Sequence, residues 1–397
     1  MALLNRDHHG MWVNTRALEL AGITDATPNP VDGRIERDHS GRPSGTLHEG
    51  ASHAVSALLP MVSDAFAALG LRRSQGYLHS LGVTAWQDAL LGAGLGLKDA
   101  TDTYLEALAA GELTMRVIGA MWWEREGGAE QVESLIARRD RVAAADPTGK
   151  FRASSVKIMV DGVAENFTDA MSEPYLDASG YATNNSGLSF IPPDDLTRYV
   201  TALDAAGFQV HHLAHLQVIS PADVPRFTEL GAIANLQMLW ATHEEQLDEL
   251  TIPFIEPSLA DRMYPFGDLE KAGATLAAGS DWPESTPDPI AAIHIGVNRM
   301  IDADTPALGG EAQRLTLAEA VTAYTWGSAL VNGLDHETGR IERGFLADLA
   351  GIDRNIFERP AEEIGRAQVR LTFSGGAVVH DRDQANPGNP NAVEESQ

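Results

Sequence analysis

The sequence predicts an α/β fold in which parallel strands are covered by helices, and three observations predict it. Strand-like and helix-like segments alternate from about residue 82 onward. The strand-like runs are apolar along both faces, as strands buried between helices must be. Polar or aromatic side chains gather where those runs end: Asp88, Trp123, Asp161, a histidine cluster at 211–215, Trp240 and Asp281. A (β/α) barrel collects its chemistry at that end of its strands. A doubly wound open sheet does so too, but the chain has no glycine-rich phosphate loop.

Taken in order, residues 1–60 read as an irregular N-terminal region. A short helix runs from about Asn14 to Ala21, ended by Gly22, and "DGRIERDHSGRPSGTLHEG" (32–50) reads as a hairpin around Ser40 and Gly41. A helix covers Asp64 to Ser80. The alternation follows: strands at 82–91, 114–123 and 154–162, with helices near Lys98–Ala110 and Glu130–Ala145 between them. A loop rich in Asn, Gly and Pro precedes a helix from Asp194 to Ala206. "SPADVPRFTELG" (220–231) offers Ser at a helix N-cap, Pro at the first helical position and Gly at the end. Strands at 232–240 and 274–283 flank a short helix near Phe266–Ala272, and helices over Pro289–Ile301 and Thr316–Asn332 close the series. The expected division is an N-terminal region (1–60), a barrel (61–340), a small β appendage (341–381) with a Gly-Gly turn, and a polar, disordered tail (382–397).

Composition narrows the function. The 397 residues include no cysteine, so disulfides and thiolate chemistry are excluded and any metal must sit on His, carboxylate or modified Lys. A net charge of −27 provides no basic stripe for a nucleic acid. No apolar run approaches the ~20 residues that span a bilayer, and "MALLNRDHHGMW" lacks the features of a signal peptide. A cytoplasmic protein is the expectation.

Three residue types carry the chemistry. Lys157 lies in the apolar run "SSVKIMVDG". It is either an ion-paired lysine, with Asp161 as partner, or a lysine carbamylated by CO2 whose new carboxylate binds metal. Asp281 follows "LAAGS" and is either a turn residue before Pro283 or a metal ligand and general base. In "GFQVHHLAHLQ", His211 and His215 share a face of a regular strand while His212 points away, so His211 is preferred over His212 as a second histidine ligand beside His215. His8 and His9 form a second cluster that lines a pocket or caps a turn. Together a lysine, histidines and an aspartate at strand ends fit a divalent metal that lowers the pKa of water. Asp281 would take the water proton and pass it to a leaving nitrogen.

The chain resembles the YtcJ-type amidohydrolases, a branch of the metal-dependent amidohydrolase superfamily. The resemblance rests on "NRDHHGMWVNTRALELAGI", "GRIERDHSGRPSGTLHEGA", "SLGVTAWQDA", "VKIMVDGVAENFTDAM", "HLAHLQVISPADVPRFTELGAIANLQ", "AAGSDWPESTPDP" and "LADLAGIDRNIFERPAEEI". It implies a distorted (β/α)8 barrel with a small β-sandwich built from both chain ends. It also implies hydrolysis of non-peptide C–N bonds with one or two divalent metals, zinc being the expected one. The carboxylated lysine falls on Lys157, the sixth-strand histidine on His215 and the catalytic aspartate on Asp281. The pocket would be lined by His9, Trp12, Asp161, Trp240 and Trp282 around a small amide-type substrate. Relatives of this kind often pair as homodimers.

Against that pattern the sequence lacks two parts. It has no His-x-His pair, which in the family ends the first barrel strand. "GFQVH" also joins directly to "HLAHLQ", where the family inserts roughly a helix and part of a strand. Parallel neighbours need a crossover of about a dozen residues, so the fused segment supplies one strand where the family has two. The expectation is therefore an incomplete (β/α)8 TIM-like barrel of about six strands, with a partial β-sandwich and at most one metal. Two readings stay open: a working hydrolase with a reduced site, or a catalytically inactive relative serving as a remnant or scaffold.

Overall fold

A computed structural model describes residues 1–6, 8–94 and 97–384. The expected tail therefore lies, from residue 385 onward, outside the described residues. The N-terminal region forms a four-stranded antiparallel sheet: β1 (Ala2–Leu4), β2 (Gly10–Val13), β3 (Gly33–Arg37) and β4 (Pro43–Glu49), in the order β1-β2-β4-β3. Alternation decides its faces. Met11 and Val13 join Ile35, Leu47 and Val55 in a small core, while Trp12 between them points to solvent. The β3–β4 hairpin closes on Asp38, whose Oδ1 accepts from the amides of Ser40 and Arg42, with Gly41 in the left-handed region (φ +85°).

The helix Asp64–Ser80 starts on Ser63, whose hydroxyl accepts from the amide of Phe66. It leads into β5 (Ala85–Leu91), β6 (Arg116–Trp122) and β7 (Phe151–Lys157), a parallel triplet with the helices Thr101–Ala109 and Gln131–Ala145 as crossovers. Every residue of β6 is buried. A second parallel triplet consists of β8 (His212–Ala214), β9 (Ile233–Leu236) and β10 (Thr275–Ala278), ordered β8-β9-β10.

One residue joins the triplets. Gln209 donates its amide to Ser154 O (3.0 Å) and accepts from the amide of Val156 (3.2 Å), a parallel bridge onto β7. Two residues later His211 O accepts from Ile233, and pairing has moved to β9. The segment 209–214 thus meets β7 with its first residue and β9 with its last. Among the described residues six parallel strands result, ordered β5-β6-β7-β8-β9-β10, and no ladder joins β10 to β5. Each triplet has its own apolar core: Val117, Met121, Phe151 and Leu203 on one side, Leu236, Met238, Phe266 and Ile295 on the other.

Several elements are shorter than expected. The run at 154–162 leaves the sheet at Lys157, and the run at 232–240 turns into a 3-10 turn, Met238–Trp240, after β9. Ser220 does not cap a helix; it closes a turn with Asp223, and the helix is Val224–Leu230 with Pro225 in its first turn. The helical segment Leu317–Val331 contains a π turn at Ala323–Gly327. There Gly327 lies so close to Leu276 O that a Cβ would stand 2.0 Å from it. Ser328 then bonds the edge of β10, its hydroxyl donating to Ala278 O (2.8 Å).

The C-terminal strands β11 (Leu349–Ile352), β12 (Val369–Ser374) and β13 (Ala377–Asp381) form an antiparallel sheet with Gly375 and Gly376 in the β12–β13 turn. It packs on the helix Asp64–Ser80: Thr372 donates to His79 O (2.7 Å). A buried ion pair between Arg116 and Asp348 fixes it to β6.

Candidate active site

The C-terminal ends of the six strands open into one cavity of about 2660 Å³. That exceeds the ~300–1,000 Å³ of ordinary ligand pockets, because the space continues between β5 and β10 down to Ala329 and Leu334. Lys157, His212, His215 and Asp281 line it, with His9, Asp161, Trp240 and Trp282.

Lys157 is the last residue of β7, held by its carbonyl, which accepts from the amide of Trp123 (3.0 Å). It forms no ion pair with Asp161 among the described residues. Asp161 instead accepts weakly from the amide of Ala170 (3.4 Å) and adjoins Asp169. Burial, and then the charge of Asp161, raise the carboxyl of Asp169 to a pKa of about 8.

His215 follows β8 in the left-handed region (φ +72°), as does Leu216 (φ +50°). Such backbone is unfavourable for these residues and persists only where neighbours hold it. Gln237 does so, its Oε1 accepting from the amide of His215 (2.5 Å). The imidazole stacks on Trp240 with centroids 5.5 Å apart and planes 4° from parallel, and Trp240 Nε1 donates to Ser285 (3.1 Å). Burial, then the charge of Lys157, push His215 down to a pKa of about 4, while Asp281 opposes and His9 adds to the shift. Lys157, Asp281 and His9 thus all lie within electrostatic reach of one neutral ring.

The left-handed turn at His215 reverses the expected order of the other two histidines. The strand does not stay regular, and His211 points outward, half-exposed, pairing with Asp204 (3.0 Å). His212 is the one that lines the cavity, its Nδ1 at 3.0 Å from Gln209 Oε1. Burial, then Lys157, lower its pKa to about 4. Trp12 is the other correction: it stands 64% exposed on the outer face of the N-terminal sheet, away from the cavity. Asp281 follows β10 with φ +53° and its carbonyl accepts from the amide of Glu284 (3.0 Å), so it is a turn residue as well as a cavity residue. Trp282 packs against Tyr77 (5.9 Å) at the rim.

Sequence reading missed two groups, Gln237 and Glu49, and placed Asp88 at a strand end without giving it a role. Asp88, in the middle of β5, is a cavity carboxyl whose pKa burial raises, and Tyr104 donates to it (2.9 Å). Gln237 and Glu49 act through backbone and side-chain contacts from distant segments, and no local pattern announces them.

Comparison with known proteins fits this geometry. The sequence profile described as the amidohydrolase family matches residues 1–215 and 210–380. The chain belongs to the amidohydrolase family. The two matched segments meet at the histidine cluster. The chain is similar to the YtcJ protein of Bacillus subtilis (strain 168), 24% identical over 94% of this chain and 73% of that one. It is also similar to an N-substituted formamide deformylase of Arthrobacter pascens, 26% identical over 96% of this chain and 73% of that one. A metal-dependent hydrolase from Pyrococcus horikoshii OT3 shares the fold, with a TM-score of 0.62 at 19% identity over 85% of this chain and 68% of its own. Among the described residues no helix is long and apolar enough to cross a membrane.

The donor chemistry suits a divalent cation: two neutral imidazoles, a carboxylate and a lysine share the cavity. Among the described residues, however, no three His, Asp or Glu side chains converge on one point. Among the described residues these side chains do not by themselves complete a cation site.

Proposed function

We propose that this amidohydrolase hydrolyses a C–N bond of a small non-peptide amide or formamide-like substrate, using one divalent cation, zinc by preference, held by carbamylated Lys157, His215, Asp281 and, less closely, His212. The observation that carries it is the neutral His215 ring, clamped by Trp240 and Gln237, within electrostatic reach of both Lys157 and Asp281. Carbamylation joins Lys157 Nζ, once its ammonium has lost a proton, to CO2 with release of a second proton, and supplies two oxygen donors. When bound, the cation supplies Lewis-acid charge that makes water nucleophilic near neutral pH. Asp281 takes a proton from that water as its oxygen attacks the carbonyl carbon. The C–N bond breaks and the nitrogen leaves carrying a proton. Trp240, Trp282, Asp161 and His9 form the substrate walls. The parallel strands form an interrupted barrel within residues 61–340. The cysteine-free, acidic composition suits the cytoplasm, and homodimers are the assembly this reading favours.

The test is metal content. Protein incubated with zinc and bicarbonate, then desalted, retains about one equivalent, and releases amine from a panel of amides and N-substituted formamides. Retention below ~0.2 equivalents with no amine released overturns the reading. The absence of a converging trio of His, Asp and Glu among the described residues favours a second reading, a non-catalytic relative. Full zinc loading that disappears in Lys157→Ala excludes it.

A further inference from the structure

Three sequence motifs to which the zinc-site reading gives no part in proton transfer meet at one point. The first is the turn "NRDHHG" between β1 and β2, which carries His9. The second is "TLHEG" at the end of β4, which carries Glu49. The third is the loop "VDGVAENFTD" after β7, which carries Gly162 and Thr168.

The ladder between β2 and β4 pairs Gly10 with His48, and one step further the amide of Glu49 donates to His9 O (2.9 Å). Side chains repeat the pairing: His9 Nδ1 lies 2.8 Å from Glu49 Oε1, with Glu49's side chain only 2% exposed. Thr168 Oγ1 donates to the same carboxylate oxygen (3.2 Å). Gly162 permits the approach, since a Cβ there would stand 2.1 Å from Thr168 Oγ1 and 2.8 Å from Glu49 Oε1. Glu49 itself has a left-handed backbone (φ +52°), an unfavourable state that the surrounding contacts maintain. A buried carboxylate, oriented from two elements, therefore holds the ring of His9 at the cavity wall, within electrostatic reach of His215. A carboxylate that accepts from Nδ1–H fixes which ring nitrogen carries the next proton and stabilises the imidazolium.

We propose that His9, held by Glu49, is the proton donor to the leaving nitrogen of the hydrolysis proposed above. The imidazolium gives its Nε2 proton to the nitrogen as the C–N bond breaks. Asp281 keeps the proton taken from water until product leaves, and solvent carries it back to His9, so no proton is gained or lost beyond hydrolysis itself. This assigns delivery to His9 rather than to Asp281 and rests on the hydrolase reading.

The test compares wild type, His9→Ala, His9→Gln and Glu49→Gln on a series of anilides whose amines differ in basicity. Loss of a general acid lowers kcat by about 10²–10⁴-fold for poor leaving groups. The expected result is that loss in both His9 variants, shrinking steeply toward 4-nitroanilide, with zinc content unchanged. Glu49→Gln should lie between them and wild type. In ¹⁵N-histidine-labelled protein, one Nδ1–H resonance should vanish in His9→Ala and shift in Glu49→Gln, whatever the activity. A kcat loss equal across the series, or no such resonance, overturns the role of His9 alone. Absence of turnover in zinc-loaded wild type overturns the hydrolase reading, and this one with it.

Discussion

The two strand triplets differ in build. β5, β6 and β7 have seven residues each, and their ladder continues to the strand end at Lys157. β8, β9 and β10 have three or four, and the chain leaves them through left-handed residues at His215, Leu216 and Asp281 or through a 3-10 turn. The first triplet presents one functional side chain from a regular strand end. The second spends regularity to aim two, His215 and Asp281, from bent backbone. A site that needs several donors from short strands is built from turns, and turns must be held by neighbours such as Gln237 and Trp240.

Variants test that contrast, beginning with the largest effect. Lys157→Ala, in the regular triplet, should abolish zinc retention and hydrolysis together; zinc bound at wild-type level would show that the second triplet holds metal alone. Asp281→Asn should lower kcat by about 10²–10⁴-fold, the loss expected of a general base, with a smaller change in zinc content. In Asp348→Ala, stability should fall by about 3–5 kcal/mol, because Arg116, the buried first residue of β6, loses its ion-pair partner; urea melts measure it. Ser155→Ala removes a hydroxyl that donates to Gln209 at the seam (2.9 Å) and should cost about 0.5–1.5 kcal/mol. Amide exchange at Val156 and Gln209 should rise before exchange elsewhere in β7.

The smallest effect is a difference of slope with pH in metal-free protein. His212 and His215 stay neutral in the fold down to a pKa of about 4, whereas unfolded histidine protonates near 6.5. Between those values the unfolded chain binds more protons, so their contribution is complete above 6.5 and is lost as pH falls toward 4. Asp169, raised to about 8, acts with opposite sign. Its native carboxyl holds a proton that the unfolded chain has released, so stability falls as pH rises from the unfolded value near 3.8 toward 8. Urea midpoints of His212→Gln and Asp169→Asn should therefore diverge from wild type in opposite directions across pH 4–6.5. Parallel curves would refute the electrostatic difference between the two halves.

Much of this was legible in the sequence, and the failures have physical causes. The span of the helix Asp64–Ser80 was legible, and in the structure Ser63 caps its start. Lys157 announced itself as the one cation in an apolar strand. The preference for His211 failed because it assumed unbroken alternation, and the break at His215 is imposed by Gln237, 22 residues away. Trp12 failed for the reverse reason. Alternation with Met11 and Val13 sends it outward, but only once β2 is known to be a strand. The runs at 154–162 and 232–240 overshot because cavity-lining turns are as apolar as the strands before them. Glu49 lies 40 residues from His9 and 119 from Thr168, so its role follows from tertiary contact alone.

The bridge at Gln209 has a mechanical meaning. Among the described residues it is the sole backbone ladder tying the halves, and each half encloses its own apolar core. The molecule is jointed there like a clasp, with Arg152–Glu337 and Gln87–Asn332 as the catches on the far side. Two polypeptides divided at Gly207 would each retain a nucleus for folding, and their reassembly would report directly on how firmly that single joint closes.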